Sequence, residues 1–266
     1  MPTIDQNLSL WNHGYSWAQA GDEWSAPWGS SEAMWWTSLY PRIRKFLPAG
    51  TILEIAPGYG RCTEFLKDHC KKLIGVDLSP KCAEACSKRF RSSPHVEFLV
   101  NDGKSLDMIP DGSIDFVFSF DSLVHAKADV LHSYSSQLAR KLAPKGVGFL
   151  HHSNLGAFGR ATRWTHLIHR TVPKPVRNQI VKRGWLIDTA WRGEDMTADL
   201  FRAYCAEAGL HCLSQELINW ANRSYLIDCF SVFSKSPVAQ KTTVIGNPYF
   251  LKEVENCKSR LQTLSV

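Results

Sequence analysis

The chain has 266 residues, of which 44% are hydrophobic and 21% charged, and its formal net charge is +6. This composition is ordinary for a globular protein, and no apolar run reaches the roughly 18 to 20 residues that span a bilayer. The N-terminus lacks a basic region followed by an apolar block, so we expect a cytoplasmic protein without a secretory signal. The eight cysteines include no Cys-x-x-Cys pair, which favours free thiols over a zinc site.

An aromatic-rich segment opens the chain, and apolar runs then alternate with amphipathic ones. The apolar runs predict strands at 51–56, 72–77, 96–100, 114–120 and 146–152. Helical spacing separates them, and Ser79 followed by Pro80 is typical of a helix N-cap and first helical position. Because strand alternates with helix, we predict a mostly parallel sheet covered by helices on both faces.

Further along, a helix is predicted at 197–209, and the runs 210–220 and 224–235 predict a hairpin at the sheet edge. The total is seven strands, with the last one antiparallel. The predicted organisation is a lid at residues 1–48, a core at residues 49–235 and a C-terminal extension at residues 236–266. Within the core, a cap insertion is predicted at residues 157–184.

The turn after the first strand, in "EIAPGYGRCT", is the predicted ligand site, because such sheets bind ligands beyond the carboxyl ends of their strands. A dinucleotide would need a final glycine where Thr63 stands, and Pro57 removes one backbone amide from a phosphate cradle. Glu54 would repel a pyrophosphate and attract an ammonium group. The turn therefore favours a cationic amino-acid ligand.

This turn resembles the first motif of the class I S-adenosylmethionine-dependent methyltransferases, roughly E/D-x-G-x-G-x-G. The motif is matched at Glu54, Gly58 and Gly60. Ala56 stands in place of the first glycine, and alanine can take that position if its φ angle is negative. The resemblance implies a Rossmann-like fold with S-adenosylmethionine as cofactor. It also implies that Asp77 holds the ribose hydroxyls and that Asp102 contacts the adenine. The remaining expected cofactor-binding residues are Leu78, Gly103 and Phe120.

Histidines and one aspartate follow the fourth and fifth predicted strands, where an acceptor would meet the cofactor. His125 resembles the histidine base of small-molecule O-methyltransferases, and the other candidates are His152, His151 and Asp121. Strand alternation sends the rings of His151 and His152 to opposite faces. The alternative for His125 is a helix-entry histidine hydrogen-bonded to the backbone. A metal site is not expected, because this set is poor in carboxylates.

Marks of other acceptor classes are absent from the sequence. The segment "FDSL" replaces the motif of enzymes that methylate nucleic-acid bases, and there is neither a Pro-Cys nucleophile nor a paired-glutamate loop. We therefore expect methyl transfer to a hydroxyl of a small molecule, with a sugar as the acceptor class. A small-molecule N-methyltransferase and a non-catalytic cofactor-binding scaffold remain as alternatives.

Two further segments suggest how an acceptor is held. Tryptophans of the predicted lid, Trp24 and Trp28 among them, are expected to stack on a sugar, with an aromatic cluster that seals the sheet as the alternative. From Val130 to Ile187 the chain has no aspartate or glutamate. The cap arginines Arg163, Arg170 and Arg177 are expected to pair with the phosphate of a phosphorylated or lipid-linked saccharide.

The basic cap also allows three other interpretations. One is a solvated face, which is the common role of charge runs. Nucleic acid is a weaker one, because the chain lacks a recognisable recognition module. Membrane contact is the third, because Trp164 and Leu167 alternate with the basic residues.

Overall fold

The computed structural model describes residues 2–183, 186–220, 222, 224–237 and 241–264. These residues form one eight-stranded sheet in the order β3-β2-β1-β4-β5-β7-β6-β8. Strand β7 is antiparallel to both of its neighbours, and every other adjacent pair is parallel. The result is the Rossmann-like α/β arrangement expected from the alternating pattern. The carboxyl ends of β1, β2 and β4 lie at one edge of the sheet.

The strands are β1 (Ala49–Ile55), β2 (Cys70–Asp77), β3 (Val96–Val100), β4 (Ile114–Ser119), β5 (Leu142–Ser153), β6 (His211–Ile218), β7 (Asp228–Ser234) and β8 (Thr243–Asn247). The α-helices are α1 (Ile4–Ser9), α2 (Ser31–Met34), α3 (Tyr40–Ile43), α4 (Thr63–Leu66), α5 (Pro80–Arg89), α6 (Ala128–Lys141), α7 (Gly159–Thr171), α8 (Lys174–Lys182), α9 (Ala198–Glu207) and α10 (Phe250–Leu264). Single turns of 3-10 helix include Leu123–His125, and a π-helical turn, Trp35–Leu39, joins α2 to α3.

Alternate residues of the central strands enter two separate hydrophobic clusters, one on each face of the sheet. Leu53 and Val117 face the first cluster, where α6 and α9 contribute Leu138 and Phe201. The second cluster contains Ile52 and Phe118 from the strands, together with side chains of the N-terminal segment and of α10, including Trp28, Trp35, Leu39, Ile43, Phe250 and Val254. The chain from residue 28 to residue 43 therefore belongs to the core.

The C-terminal part of the sheet corrects two expectations. Strands β6 and β7 do pair, but β7 lies between β5 and β6, and β8 covers the far side of β6. The hairpin is therefore internal, and the sheet has eight strands instead of seven. Strand β8 was missed because it is only five residues long and largely exposed, so its apolar pattern is weak. The predicted extension 236–266 supplies β8 and α10, with residues 238–240, 265 and 266 outside the described ones.

No helix among the described residues is both long enough and apolar enough to cross a membrane. Helices α7 and α8 stand between β5 and α9, where the insertion 157–184 was predicted; residue 184 lies outside the described residues.

Two neighbouring tryptophans test the assignment of the segment 28–43 to the core. Trp35 is fully buried and stacks on Phe65 with 5.2 Å between ring centroids, whereas Trp36 is 47% exposed. We expect Trp35→Ala to lower the free energy of unfolding by about 3–5 kcal/mol, because it leaves a cavity in the core. Trp36→Ala, the matched control, should cost less than about 1 kcal/mol. Urea unfolding followed by circular dichroism measures both, and equal effects would contradict the assignment.

Candidate functional site

A cavity of about 1020 Å³ lies at the carboxyl ends of β1, β2 and β4. Its floor is formed by the ends of these strands and the turns that follow them, including Glu54, Gly58, Asp77 and Phe120. N-terminal residues between Pro2 and Pro27 line it from the other side. The cavity thus combines the predicted ligand turn with part of the aromatic N-terminal segment.

The turn after β1 has a left-handed backbone at three positions. The φ angles are 56° at Ala56, 60° at Gly58 and 84° at Gly60. The expected negative φ at Ala56 is thus wrong, and the strain of a left-handed alanine is held by hydrogen bonds from the Ala56 amide to the Val76 carbonyl and from Ser122 Oγ to the Ala56 carbonyl, both 2.8 Å long. A Cβ at Gly60 would collide with the ring of Phe90. The turn therefore needs glycine for close packing on α5.

Asp77, at the end of β2, is 7% exposed and lines the cavity. Its carboxylate accepts hydrogen bonds from the amide of Gly58 at 3.0 Å and the amide of Ser79 at 2.8 Å. Burial raises the pKa of Asp77 to about 6, although these two bonds oppose the shift. Each oxygen has further lone-pair capacity, so the side chain can accept from the two hydroxyls of a ribose, as the resemblance implies.

Glu54, near the end of β1, is 2% exposed and also lines the cavity. Thr63 Oγ1 donates to its carboxylate over 2.5 Å. Burial raises the pKa of Glu54 to about 7, opposed by the Thr63 bond and by Arg61. A buried carboxylate of this kind is stabilised in its charged form by a cationic ligand. The cradle therefore fits a ligand with an ammonium group, such as S-adenosylmethionine.

Arg61 lies beside this carboxylate and was not singled out from the sequence. It is 8% exposed, lines the cavity, and places its guanidinium carbon 5.4 Å from the centre of the Phe120 ring. Its Nη2 lies 3.2 Å from Asp121 Oδ2. An arginine directly after the second glycine of the turn was the available signal. Glu54 and Arg61 together offer both charges needed by an amino-acid moiety.

The structure places the next two expected cofactor residues differently. Asp102 is exposed and absent from the cavity lining, since its Oδ1 accepts from the amides of Lys104 and Ser105 in a local turn. This corrects the expected adenine contact of Asp102. Gly103 does line the cavity, as do Leu78 and Tyr134.

His125 is half-buried and lines the cavity at the end of its 3-10 turn. Its Nδ1 lies 2.9 Å from the carbonyl oxygen of Trp191, and because a carbonyl only accepts, Nδ1 carries the proton. In the neutral ring Nε2 then has a free lone pair. Burial lowers the pKa of His125 to about 4, with a further contribution from Arg192. The ring is thus both backbone-bonded and available as a base.

His151 and His152 do not line the cavity, which corrects their expected catalytic placement. His152 is fully buried beside Phe201, and its Nε2 lies 2.8 Å from Ser231 Oγ. His151 accepts from the amide of Asp121 through Nδ1 at 3.1 Å, and its Nε2 lies 3.4 Å from Asp228 Oδ2. The two rings do face opposite sides of the sheet, but Phe230 packs against His151 and Phe201 packs against His152.

A buried ion pair behind the cavity was missed altogether. Arg192 is 5% exposed and contacts both carboxylate oxygens of the fully buried Asp228, with Nε–Oδ1 at 2.9 Å and Nη2–Oδ2 at 2.8 Å. Burial opposes ionisation of Asp228, but Arg192 and His151 hold its pKa at about 2. Arg192 also lines the cavity. The two residues are 36 positions apart, and no local motif marks them.

The expected acceptor residues are dispersed. Trp24 lines the cavity, but Trp28 is fully buried and donates to Ser38 Oγ at 2.8 Å, which corrects the expectation that Trp28 stacks on a sugar. Arg163 and Arg170 are exposed and absent from the cavity lining, which corrects their expected phosphate-binding role in it. The side chain of Arg177 lies outside the described residues. Within the described part of the chain, no group of three or more metal-ligating side chains could hold a metal ion.

Comparisons with known proteins show that part of the chain is similar to methyltransferases. Residues 52–146 match the family model described as a methyltransferase domain. The chain is 36% identical over 61 residues to a Dictyostelium discoideum protein named "Probable dimethyladenosine transferase", covering 22% of this chain and 19% of that protein. It is 34% identical over 61 residues to the ribosomal RNA small subunit methyltransferase A of Geobacter metallireducens, covering 23% of this chain and 22% of that one. The chain thus matches about a fifth of the length of these curated relatives.

A solved S-adenosylmethionine-dependent methyltransferase from Methanosarcina mazei shares the fold. The TM-score is 0.54 at 16% identity, and the superposition covers 75% of this chain and 99% of that one. The matched methyltransferase domain indicates S-adenosylmethionine as the cofactor. Glu54, Arg61 and Asp77 are the residues of this cavity that would hold it.

Binding measurements on Asp77 and Asp102 test whether the family motif or the observed cavity lining predicts the cofactor contacts. We expect S-adenosylhomocysteine to raise the melting temperature, since it binds the folded state, and NADH to leave it unchanged. Asp77→Ala should weaken S-adenosylhomocysteine binding by about 1–3 kcal/mol, because hydrogen bonds to a charged group are lost. Asp102→Ala, the matched control, should leave the affinity nearly unchanged. Calorimetric titration measures the affinity of both variants. A larger loss of affinity in Asp102→Ala than in Asp77→Ala would support the adenine contact of Asp102.

The raised pKa of Glu54 gives a pH-dependent prediction. With a folded pKa of about 7 and an ordinary value near 4.5, this group stabilises the ligand-free protein at low pH, and that stability is lost as pH rises through about 7. Glu54→Gln should therefore raise the melting temperature of the ligand-free protein at pH 8 relative to the wild type. It should also weaken S-adenosylhomocysteine binding and remove the rise in affinity between pH 6 and 8. Thermal melts and titrations at both pH values measure these effects, and unchanged affinity would exclude the ammonium contact.

Proposed function

We propose that the protein is an S-adenosylmethionine-dependent O-methyltransferase that methylates a hydroxyl of a small molecule, with a saccharide as the acceptor class. The observation that carries the proposal is the position of His125: its ring lines the same cavity as Glu54 and Asp77, with Nδ1 bonded to a carbonyl. A hydroxyl acceptor must lose a proton, whereas an amine acceptor needs no strong base. A neutral histidine at the cavity therefore supports hydroxyl methylation.

The size and lining of the cavity support a second ligand beside the cofactor. Its volume of about 1020 Å³ lies at the upper end of the roughly 300–1,000 Å³ typical of small-molecule sites. Tryptophans line it from the N-terminal segment and from the later loops, namely Trp11, Trp17, Trp24, Trp191 and Trp220. Indole faces bind the apolar face of a sugar ring and leave its hydroxyls free for hydrogen bonds. This lining supports the saccharide class.

When bound, the cofactor supplies a methyl group activated by a sulfonium. The chain's own work is then to align the acceptor oxygen with that carbon and to remove its proton. Nε2 of His125 accepts the proton as the oxygen–carbon bond forms, and the ring becomes positively charged. The proton that the acceptor hydroxyl loses would thus be held at Nε2 of His125, which would balance the positive charge that a bound cofactor gives up with its methyl group.

Arg192 holds the backbone next to the Trp191 carbonyl that orients His125. Ala190 and Trp191 have left-handed backbone with φ of 42° and 61°. Nη1 of Arg192 donates to the Ala190 carbonyl at 2.8 Å, and Asp228 holds the other side of the same guanidinium. A strained backbone persists only where its surroundings hold it. The ion pair thus maintains the Nδ1–H tautomer that leaves Nε2 free.

The N-terminal segment from Pro2 to Pro27 acts in this proposal as the lid. Asn12 Oδ1 accepts from Ser79 Oγ at 2.9 Å, which ties the segment to the start of α5. Trp17 stacks on Tyr59 of the glycine turn with ring centroids 4.4 Å apart. Arg89 donates to the carbonyls of Ala20 and Tyr59, both at 3.1 Å. These contacts close the segment over the turn, which excludes water from the reacting groups.

A histidine pair tests the base. His125→Ala should lower turnover by about 10²- to 10⁴-fold, because the base is lost, and leave S-adenosylhomocysteine affinity nearly unchanged. With a pKa of about 4, wild-type His125 is neutral above pH 6, so turnover at saturating cofactor should be flat from pH 6 to 8 and fall in acid. Transfer of labelled methyl groups to a panel of glycosides and small alcohols measures this.

The control for that experiment is His152→Ala, at a buried ring outside the cavity lining. It should reduce stability without changing the rate per folded molecule. Full turnover of His125→Ala on an acceptor amine, with no turnover on hydroxyls by the wild type, would favour the N-methyltransferase. Binding of S-adenosylhomocysteine without any transfer would favour the scaffold.

A further inference from the structure

Helix α7 presents a continuous exposed face. Residues 160, 163, 164, 167 and 170 recur at helical spacing and are all exposed. On the opposite side, Thr162 and Thr165 are buried, and Thr165 Oγ1 donates to the Ile187 carbonyl at 3.3 Å. One side of α7 is therefore packed on the protein and the other is open. We call the open side the α7 face.

The α7 face is basic and apolar at once. It contains Arg160, Arg163 and Arg170, and between them Trp164 and Leu167, which are 64% and 51% exposed. Helix α8 adds Lys174 and the half-exposed Val176. The sequence from Val130 to Ile187 contains no acidic residue, and among the described residues these three arginines form no ion pair. Both the positive charge and the apolar area are thus left without a partner.

We propose that the α7 face binds the surface of an anionic lipid bilayer. A helix with basic side chains beside tryptophan and leucine lies in the plane of a membrane interface. Tryptophan favours the headgroup level, and each arginine near an anionic surface adds about 1 kcal/mol of attraction. The arginine guanidinium groups would reach the lipid phosphates while Trp164 and Leu167 enter the acyl boundary. The face would hold the protein peripherally, without a spanning helix.

The apolar residues decide between this surface and the other occupants. A solvated face requires charge but not a tryptophan and a leucine that are both more than half exposed. A nucleic acid would use the arginines and could stack on Trp164, but phosphates and bases leave Leu167 and Val176 without a function. Of these three occupants, the bilayer interface alone uses both sets of side chains.

This inference does not depend on the proposed function. No described residue from 155 to 189 lines the cavity, so the α7 face stays accessible whatever the cavity holds. Cofactor binding therefore serves as an independent check that variants of the face are folded.

The test is co-sedimentation of the full chain with large vesicles of phosphatidylcholine alone or mixed with phosphatidylglycerol. We expect binding only to the mixed vesicles, weakened by high salt. Replacing Arg160, Arg163 and Arg170 by glutamine should weaken binding by about 100-fold, at about fivefold per charge. The double variant Trp164→Ser with Leu167→Ser, which keeps the charge, should weaken it by about tenfold or more.

A matched control changes the same number of charges elsewhere. Arg44→Gln, Arg91→Gln and Lys252→Gln alter exposed residues outside α7 and should leave vesicle binding within about threefold, since surface attraction is local. All variants should keep the melting shift produced by S-adenosylhomocysteine. Equal loss in the control, or no binding to mixed vesicles, would overturn the proposal. Binding to a single-stranded RNA that depends on the arginines but not on Leu167 would overturn it in favour of nucleic acid.

Discussion

The ion pair between Arg192 and Asp228 joins parts of the chain on which the whole cavity depends. Asp228 begins β7, the antiparallel strand inserted between β5 and β6, and its carboxylate lies 3.4 Å from His151 of β5. Arg192 connects this carboxylate to the left-handed backbone that orients His125. Removing one partner of a buried pair leaves an uncompensated charge and costs about 3–5 kcal/mol. The pair therefore stabilises the fold and also helps to orient the proposed base, His125.

The floor of the cavity depends on a different constraint. The turn after β1 is left-handed at Ala56, Gly58 and Gly60, and the carboxylate of Asp77 is bonded to one of its amides. The buried Glu54 and Asp77 both have raised pKa values because they lie in a desolvated site. Such perturbed groups are typical of a site that meets its charge partner only when a ligand binds. Arg61, paired with Asp121, links this part of the cavity to the end of β4.

Local signals predicted a large part of this arrangement. Alternating apolar and amphipathic runs predicted the parallel core, and the glycine turn with Glu54 and Asp77 was recognisable because those residues are close in sequence to their strand ends. His125, which its place after β4 marked as a candidate base, lines the cavity. Asp102 shows the limit of the method, since the motif position is right but its side chain closes a local turn instead. The exposed edge strand β8 escaped because its five residues carry little apolar pattern.

The sequence by itself determined the fold class, the ligand turn and the absence of acidic residues from Val130 to Ile187, because each depends on neighbours along the chain. Only the tertiary structure decided which histidine meets the cavity, since Phe230 packs against His151 and Phe201 packs against His152. It also decided that Trp28 packs in the core while Trp24 lines the cavity, and that Arg192 meets Asp228. Contacts between residues far apart in sequence depend on strand order and burial, and local periodicity carries no information about either.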